Sequence, residues 1–418
     1  MPDRARVRIG EYGSVLLADS QLTPRDVKRL RALQARGRLG LEQIPTGWRL
    51  KAGATVGLLV LDRIRLVMEP KFALSGDRLM DWLAYALGAP APLLVASRHW
   101  TTNPEGYADL VVAALLEQCE QLLREGLHRD YVRRQTLEPV LRGRLDVAAQ
   151  ATRRYGQLDK LHVRTFDRET DIWDNRILGT ALHMARTLTT SPNLARGLHA
   201  IADAFPKAAP ADAALHALDR TQYTRMNTRY RAAHTWARLL LRGGGVTDIL
   251  TDRGTAADGL LLAMPALWEA VVRRLATDAA LPHGMHTVPS SGAAGITVRG
   301  DLGITSAFRP DVLISLPGHD STVRTLLPVD AKYKRYDRHG VGAADVHQLL
   351  SYSAGYTPSD DPRAVIVHPR TGGHSHRVLQ VDSPRGSLGS IHVLGVDTDT
   401  LPQQATSWVG SVLPLANG

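Results

Sequence analysis

One cysteine in 418 residues, Cys119, leaves this chain without an internal disulfide or a cysteine-based zinc site, as a reducing cytoplasm favours. Apolar runs long enough to cross a bilayer are missing, and no basic-then-apolar leader opens the chain. A soluble, cytoplasmic protein with no membrane partner is expected. No Gly-Lys dipeptide occurs, which excludes a Walker A phosphate loop. Any nucleotide hydrolysis that drives this protein must come from another polypeptide. There is no internal repeat and no long low-complexity tract. His374 and His376 have no cysteine or acid cluster beside them, so they read as a solvated loop and not as metal ligands.

Positive charge is plentiful: Lys and Arg number 51 against 41 Asp and Glu, a formal net charge of +10 with a pI near 9.9. Such a balance favours a polyanionic partner, nucleic acid being the common one, with ordinary solvated arginines as the alternative. The length allows two or three domains. Short strand-like runs occupy residues 1–75, including 6–9, 47–50, 56–60 and 64–68, with one inserted helix over 24–34 that Thr23 caps and Pro24 starts. A mainly helical middle region follows over 76–242, with helices expected at 77–86, 107–125, 174–188, 194–204 and 223–241. It also holds an extended stretch at 141–146 and a strand at 160–165. Cys119 falls on the apolar face of the 107–125 helix, a packing position. The run Gly243-Gly244-Gly245 marks the main boundary. Residues 246–418 then read as an α/β domain: a helix around 260–276, strands near 304, 310–316 and 325–331, a helix at 343–355, and strands at 364–367, 377–381 and 390–396.

Within that last domain two short pieces come into register: Arg309-Pro310-Asp311-Val312-Leu313-Ile314 and Pro328-Val329-Asp330-Ala331-Lys332. Residues i and i+2 of a strand share a face, so Asp330 and Lys332 point the same way. Two carboxylates and an ammonium on one face suit a hard divalent cation and a water beside a phosphate. Asp311, Asp330 and the backbone carbonyl of Ala331 would hold Mg2+, and Lys332 would orient the attacking water and stabilise growing charge. Upstream, Glu269 in Leu267-Trp268-Glu269 could complete the metal site or remain a solvated helix acid. Downstream, Gln348 and Tyr352 at i and i+4 share one helix face, and Gln348 could hold the nucleotide or the water. Lys334 and Arg335 read as surface or DNA-backbone contacts.

These motifs resemble the PD-(D/E)xK nuclease superfamily, with its upstream helical acid and its downstream Gln-x-x-x-Tyr element. The chain as a whole resembles the McrC family, the nuclease subunits of McrBC modification-dependent restriction systems. The matching residues are Ile64 to Lys71, Glu125-Gly126-Leu127 with Tyr131, Leu141-Arg142-Gly143-Arg144-Leu145-Asp146, Asp174 to Leu178, the nuclease motifs and Asp345 to Tyr352. One departure is Trp268, where the family usually has Phe before its helical acid. The resemblance implies an α+β N-terminal region, comprising a small β-rich partner-docking domain and a helical middle, followed by a restriction-endonuclease-like α/β domain. It further implies a Mg2+-dependent endonuclease that cuts double-stranded DNA, which can carry modified cytosine, driven by a McrB-like AAA+ GTPase. Arg142 and Arg144, flanking a glycine, could reach towards an NTPase site or a DNA phosphate; the alternative is that they pair with acids such as Asp146 and hold the fold. Two other readings stay open: a stand-alone nuclease in DNA repair, and a non-catalytic adaptor that activates a partner NTPase. The intact Asp-x-Lys argues against the adaptor.

Overall fold

The protein is described by a computed structural model over residues 5–71, 76–90, 106–189, 191–242, 259–288, 295–297, 299–300, 303–304, 308–316 and 325–413. It is a mixed α/β chain that divides into two compact units. One comprises Met1–Leu110, Gly245–Asp252 and Gly259–Gly418; the other comprises Val111–Gly244 and Arg253–Asp258. This partition differs from a division into 1–75, 76–242 and 246–418, because the N-terminal strands and the C-terminal α/β segment share one unit. The glycine run at 243–245 lies outside the described residues.

In the first unit, strand Ala5–Gly10 runs parallel to Ile64–Glu69, which pairs antiparallel with Thr55–Val60. The fourth strand of this sheet is Gly259–Ala263, antiparallel to Thr55–Val60. Sequence reading put residues 260–263 in a helix, and they are instead a strand. A short apolar run such as Leu260-Leu261-Leu262 has no period of its own to decide between the two, and Pro265 starts the helix Met264–Ala280 only afterwards. The crossing is possible because Gly57 has φ 134°; a Cβ there would stand 2.0 Å from the Leu260 carbonyl oxygen. The inserted helix is Pro24–Ala35, and its start is a reciprocal cap: Asp26 N–H donates to Thr23 Oγ1 at 3.2 Å, and Thr23 N–H donates to Asp26 Oδ2 at 3.1 Å. Two strands of the three-stranded sheet beside it, Ser14–Leu17 and Leu39–Ile44, were not anticipated.

The same unit holds a six-stranded sheet in the order His286–Val288, Val312–Ser315, Leu326–Ala331, Arg363–Arg370, Gly386–Asp397, Ser375–Ser383. Its first two pairings are antiparallel, and the next two are parallel. The central strands are buried nearly throughout, which explains the apolar runs at 312–314 and 364–367. Helix Met264–Ala280 covers the sheet, and its buried Trp268 donates from Nε1 to the Val367 carbonyl at 3.0 Å.

The second unit packs helices Trp173–Leu188, Pro192–Ala202, Ala211–Asp219 and Arg231–Leu241 with an antiparallel sheet of Asp130–Glu138, Leu161–Glu169 and Arg144–Leu145. Cys119 is fully buried in helix Gly106–Glu125, as its apolar face implied. Strand Asp130–Glu138 was missed because both its faces are largely exposed, so no polar–apolar alternation marks it. The helix expected over 223–241 begins only at Arg231. Upstream, the side chain of the buried Asn227 accepts from Thr224 N–H at 2.7 Å and closes a turn that a helix would break. Among the described residues no helix is long and apolar enough to cross a membrane.

Candidate active site

Asp311 lies just before strand Val312–Ser315, and Asp330 is the penultimate residue of strand Leu326–Ala331. Val312 pairs with Val329, so one further step sets Asp311 opposite Asp330 across neighbouring strands. Both acids therefore face the same side of the sheet. Asp311 Oδ2 accepts from Ala331 N–H at 2.7 Å, which fixes one carboxylate against the backbone of the other's strand. Lys332 continues the strand, donating its N–H to the Val367 carbonyl at 3.0 Å. That carbonyl also receives Trp268, so the helix bearing Glu269 and the segment bearing Lys332 are anchored at one atom.

The Lys332 ammonium stands 2.8 Å from Asp330 Oδ2 and donates to Gln348 Oε1 at 2.7 Å. Although the charges are close, Asp330 Oδ2 is buried without a well-directed hydrogen bond. Gln348 Nε2 donates to Tyr352 Oη at 2.9 Å, and Tyr352 Oη donates to the Arg309 carbonyl at 2.7 Å. A continuous chain thus runs from Lys332 through helix Ala343–Tyr356 to the residue two before Asp311. Asp311, Asp330, Ala331, Lys332 and Gln348 are brought together in one place.

Glu269 sits on the rim. Its Oε1 accepts from Arg273 at 2.6 Å one helical turn on, and its side chain is 39% exposed. Its charge nonetheless raises both central acids. Burial is the larger cause: it pushes Asp311 up to about 7, with the Asp330 charge next and the Ala331 N–H opposing. Burial likewise raises Asp330, against the pull of Lys332. Two carboxyls forced towards neutrality in one place form a site that is costly without a cation.

A stability consequence follows. Because Asp311 has a raised pKa in the fold, its contribution is fully present below 3.8 and is lost as pH rises towards about 7. Metal-free Asp311→Asn should therefore be more stable than wild type at pH 8, by on the order of 2 kcal/mol, and melt higher. The gap should close as the pH falls towards 4, and thermal melts in chelator at both pH values check it.

Sequence reading missed Asp345 and Tyr336. Asp345 accepts from Lys334 at 2.7 Å and from Tyr336 Oη at 2.6 Å, and it lies 3.9 Å from Lys332. Burial works against its charge, yet the hydrogen bonds from Lys334 and Tyr336 hold its pKa below the ordinary value. An acid in a first helical turn ordinarily signals only dipole compensation, which hid it. Lys334 is exposed at the surface, as expected, and its ammonium is paired there with Asp345, while the half-buried Arg335 pairs with Asp337 at 3.4 Å. His376 is an exposed strand residue stacked on His392 and not part of a loop, whereas His374 lies in the loop before that strand, half-buried and stacked on Trp408 at 4.4 Å.

In the second unit, Arg142 pairs with Asp167 at 2.5 Å, while Asp146 pairs with Arg164 at 2.6 Å. Asp146 is thus not the partner of the Arg-Gly-Arg stretch. Among the described residues Arg144 makes no side-chain hydrogen bond or ion pair, and it is exposed. Gly143 between them has φ 83°, and a Cβ there would stand 2.5 Å from the Arg164 carbonyl oxygen. Only glycine lets the two arginines pass over that strand.

Among the described residues no three His, Cys, Asp or Glu side chains stand together at metal-holding spacing. A cation here would take the two facing carboxylates and complete its shell with backbone, water or phosphate oxygens. Mg2+ is held in that way, usually by one or two carboxylates plus substrate.

A family model described as McrBC 5-methylcytosine restriction system component matches residues 50–369. A solved structure, the refined half-complex from a tetradecameric assembly of Thermococcus gammatolerans McrB AAA+ hexamers with bound McrC, matches with a TM-score of 0.66. The identity is 16%, and the match covers 98% of this chain and 100% of that one, a likeness of fold. The Thermococcus gammatolerans McrBC complex matches with a TM-score of 0.47 at 19% identity, over 65% of this chain and 87% of that one. No curated relative matches the chain.

Proposed function

We propose, since this chain belongs to the McrBC 5-methylcytosine restriction system component family, that it is the DNA-cleaving subunit of such a system, working in the cytoplasm. The observation that carries this reading is the facing pair of half-buried Asp311 and buried Asp330, with Lys332 two residues after Asp330, tied by Gln348 and Tyr352 back to Arg309. In this reading the six-stranded sheet and its flanking helices form a PD-(D/E)xK nuclease core. Asp311, Asp330 and the Ala331 carbonyl hold Mg2+, with Glu269 at the rim. Asp330 Oδ2, buried with only the Lys332 ammonium beside it, and the raised carboxyls fit a cation. A bound Mg2+ neutralises charge on the scissile phosphate. Lys332, held by Gln348, keeps an ammonium proton directed at the attacking water and at the phosphate oxygens. Burial strengthens each of these interactions by keeping bulk water out.

The partner is a McrB-like AAA+ GTPase; the matched fold comes from an assembly of McrB hexamers with bound McrC. Exposed apolar side chains favour the second unit for that contact over the expected 1–75. Tyr131, Val140, Leu141, Val147, Tyr155 and Leu158 are all more than half exposed, whereas among the described residues of 1–75 only Tyr12 and Leu16 are comparable. Arg144, exposed and unpaired beside them, is the cation this surface can offer to an NTPase site.

The test mixes the purified chain with the GTPase, GTP, Mg2+ and DNA bearing 5-methylcytosine. Cleavage is expected only when all are present, and cutting by the chain alone would favour a stand-alone nuclease. In the same mixture Arg144→Ala should lower the stimulated GTPase rate by at least about tenfold while DNA binding is retained. Full stimulation by the folded variant would make Arg144 structural.

A further inference from the structure

We infer that Glu11, Lys71 and Tyr333 form a clasp that positions Lys332 for the reaction, and this inference rests on the nuclease reading above. Along the extended segment after strand Leu326–Ala331, side chains alternate. Lys332 faces Asp330 and Gln348, Tyr333 points the other way, and Lys334 returns to Asp345. Tyr333 is held at both ends. Its hydroxyl donates to Glu11 Oε2 at 3.1 Å, and its carbonyl accepts from the Lys71 ammonium at 3.0 Å. The same ammonium stands 4.3 Å from the centre of the Tyr333 ring, within cation–π range. Lys71 N–H also donates to Glu11 Oε2 at 2.6 Å, which closes the triangle.

None of these three partners is incidental to its own element. Glu11 follows strand Ala5–Gly10, and its N–H donates to the Glu69 carbonyl at 2.9 Å, so the parallel pairing of the N-terminal strands aims it inward. The turn that presents it places Tyr12 at φ 63°, a backbone state that a bulky residue adopts only when its surroundings require it. Glu11 and Tyr333 are both buried, and Glu11 Oε1 has no hydrogen-bond partner. A buried carboxylate left half-satisfied on a strained turn is costly for a contact that only fills space. It is accounted for if the peptide after Lys332 must not rotate. With Tyr333 fixed, Lys334 occupies Asp345 and Lys332 is left to Asp330 and Gln348. With Tyr333 free, the two lysines can compete for the same acids.

The experiment reads the position of Lys332 directly. The full-length chain and its Tyr333→Phe and Lys71→Met variants are acylated with a limiting amine reagent, and the labelling rate of each lysine is followed by mass spectrometry. Lys332 should label roughly three- to tenfold faster in both variants, while Lys207 in the other unit, which is exposed, keeps its rate. Tyr333→Phe deletes a single oxygen, so it keeps the test valid if Lys71→Met fails to fold. An unchanged Lys332 rate in a folded variant overturns the clasp. Cleavage supplies the second readout: turnover should fall with the KM for DNA steady, and Tyr333→Phe should cause no further loss in a Lys332→Ala background. A faster Lys332 rate in a protein whose wild type cuts no DNA keeps the clasp and removes the nuclease reading. Normal cutting with an unmoved Lys332 does the reverse.

Discussion

Asp330→Ala should abolish DNA cleavage, by at least about a hundredfold, the scale of losing one essential electrostatic partner of a transition state. The fold should survive even though Asp330 is only 3% exposed, because its removal takes a like charge away from Asp311. In metal-free buffer the variant should melt no lower than wild type, since the buried carboxyl that is lost already sits above its ordinary pKa. Stimulation of the partner GTPase should also persist, because the residues proposed to contact it belong to the other unit. Linearisation of a plasmid carrying 5-methylcytosine, scored beside the GTPase rate in one tube, separates these outcomes. Wild-type cutting by Asp330→Ala would sink the nuclease assignment, and loss of both activities would point to misfolding instead.

Lys332→Ala is expected to have a comparably large effect on turnover by a different route. The ammonium is proposed to serve the water and the developing phosphate charge and not the cation, so Mg2+ affinity should be kept or raised. It should rise if anything, because Lys332 at 2.8 Å competes with a cation for Asp330 Oδ2. Calorimetric titration of Mg2+ in the presence of uncleavable DNA, set against single-turnover cleavage, checks both halves. Lost Mg2+ affinity with retained turnover would reverse the roles assigned to Lys332 and Asp330.

Gln348 gives these two variants a common context. Its amide oxygen receives Lys332 and its amide nitrogen serves Tyr352, so its orientation is set by two neighbours with opposite demands. Removing Lys332 should free one end of that chain while Tyr352 stays tied to Arg309, which limits the damage to the lysine itself. The anchor at Val367, which accepts from both Trp268 and Lys332, gives the departure from Phe to Trp at 268 a physical reason. An indole can donate where a phenyl ring cannot.

Much of this protein was legible in its sequence because the relevant forces are local. Short apolar, β-prone runs and turn chemistry located the strands around Val56, Leu66 and Ile314, and Thr23 announced a helix start that the structure realises with a reciprocal cap. The i and i+2 spacing of Asp330 and Lys332 determined that they share a face, and the i and i+4 spacing of Gln348 and Tyr352 did the same on their helix. Only the tertiary structure decided what lies opposite. The antiparallel register sets Asp311 across from Asp330, and strand Gly259–Ala263 joins the N-terminal sheet through the space left at Gly57. Tyr352 reaches back 43 residues to Arg309, and Tyr333 reaches 322 residues to Glu11. Contacts at such separations depend on which faces the whole chain must bury, and no local periodicity encodes them. For that reason the chain's own residues announced the acids and the lysine, whereas the partners that hold them in place became visible only in the assembled fold.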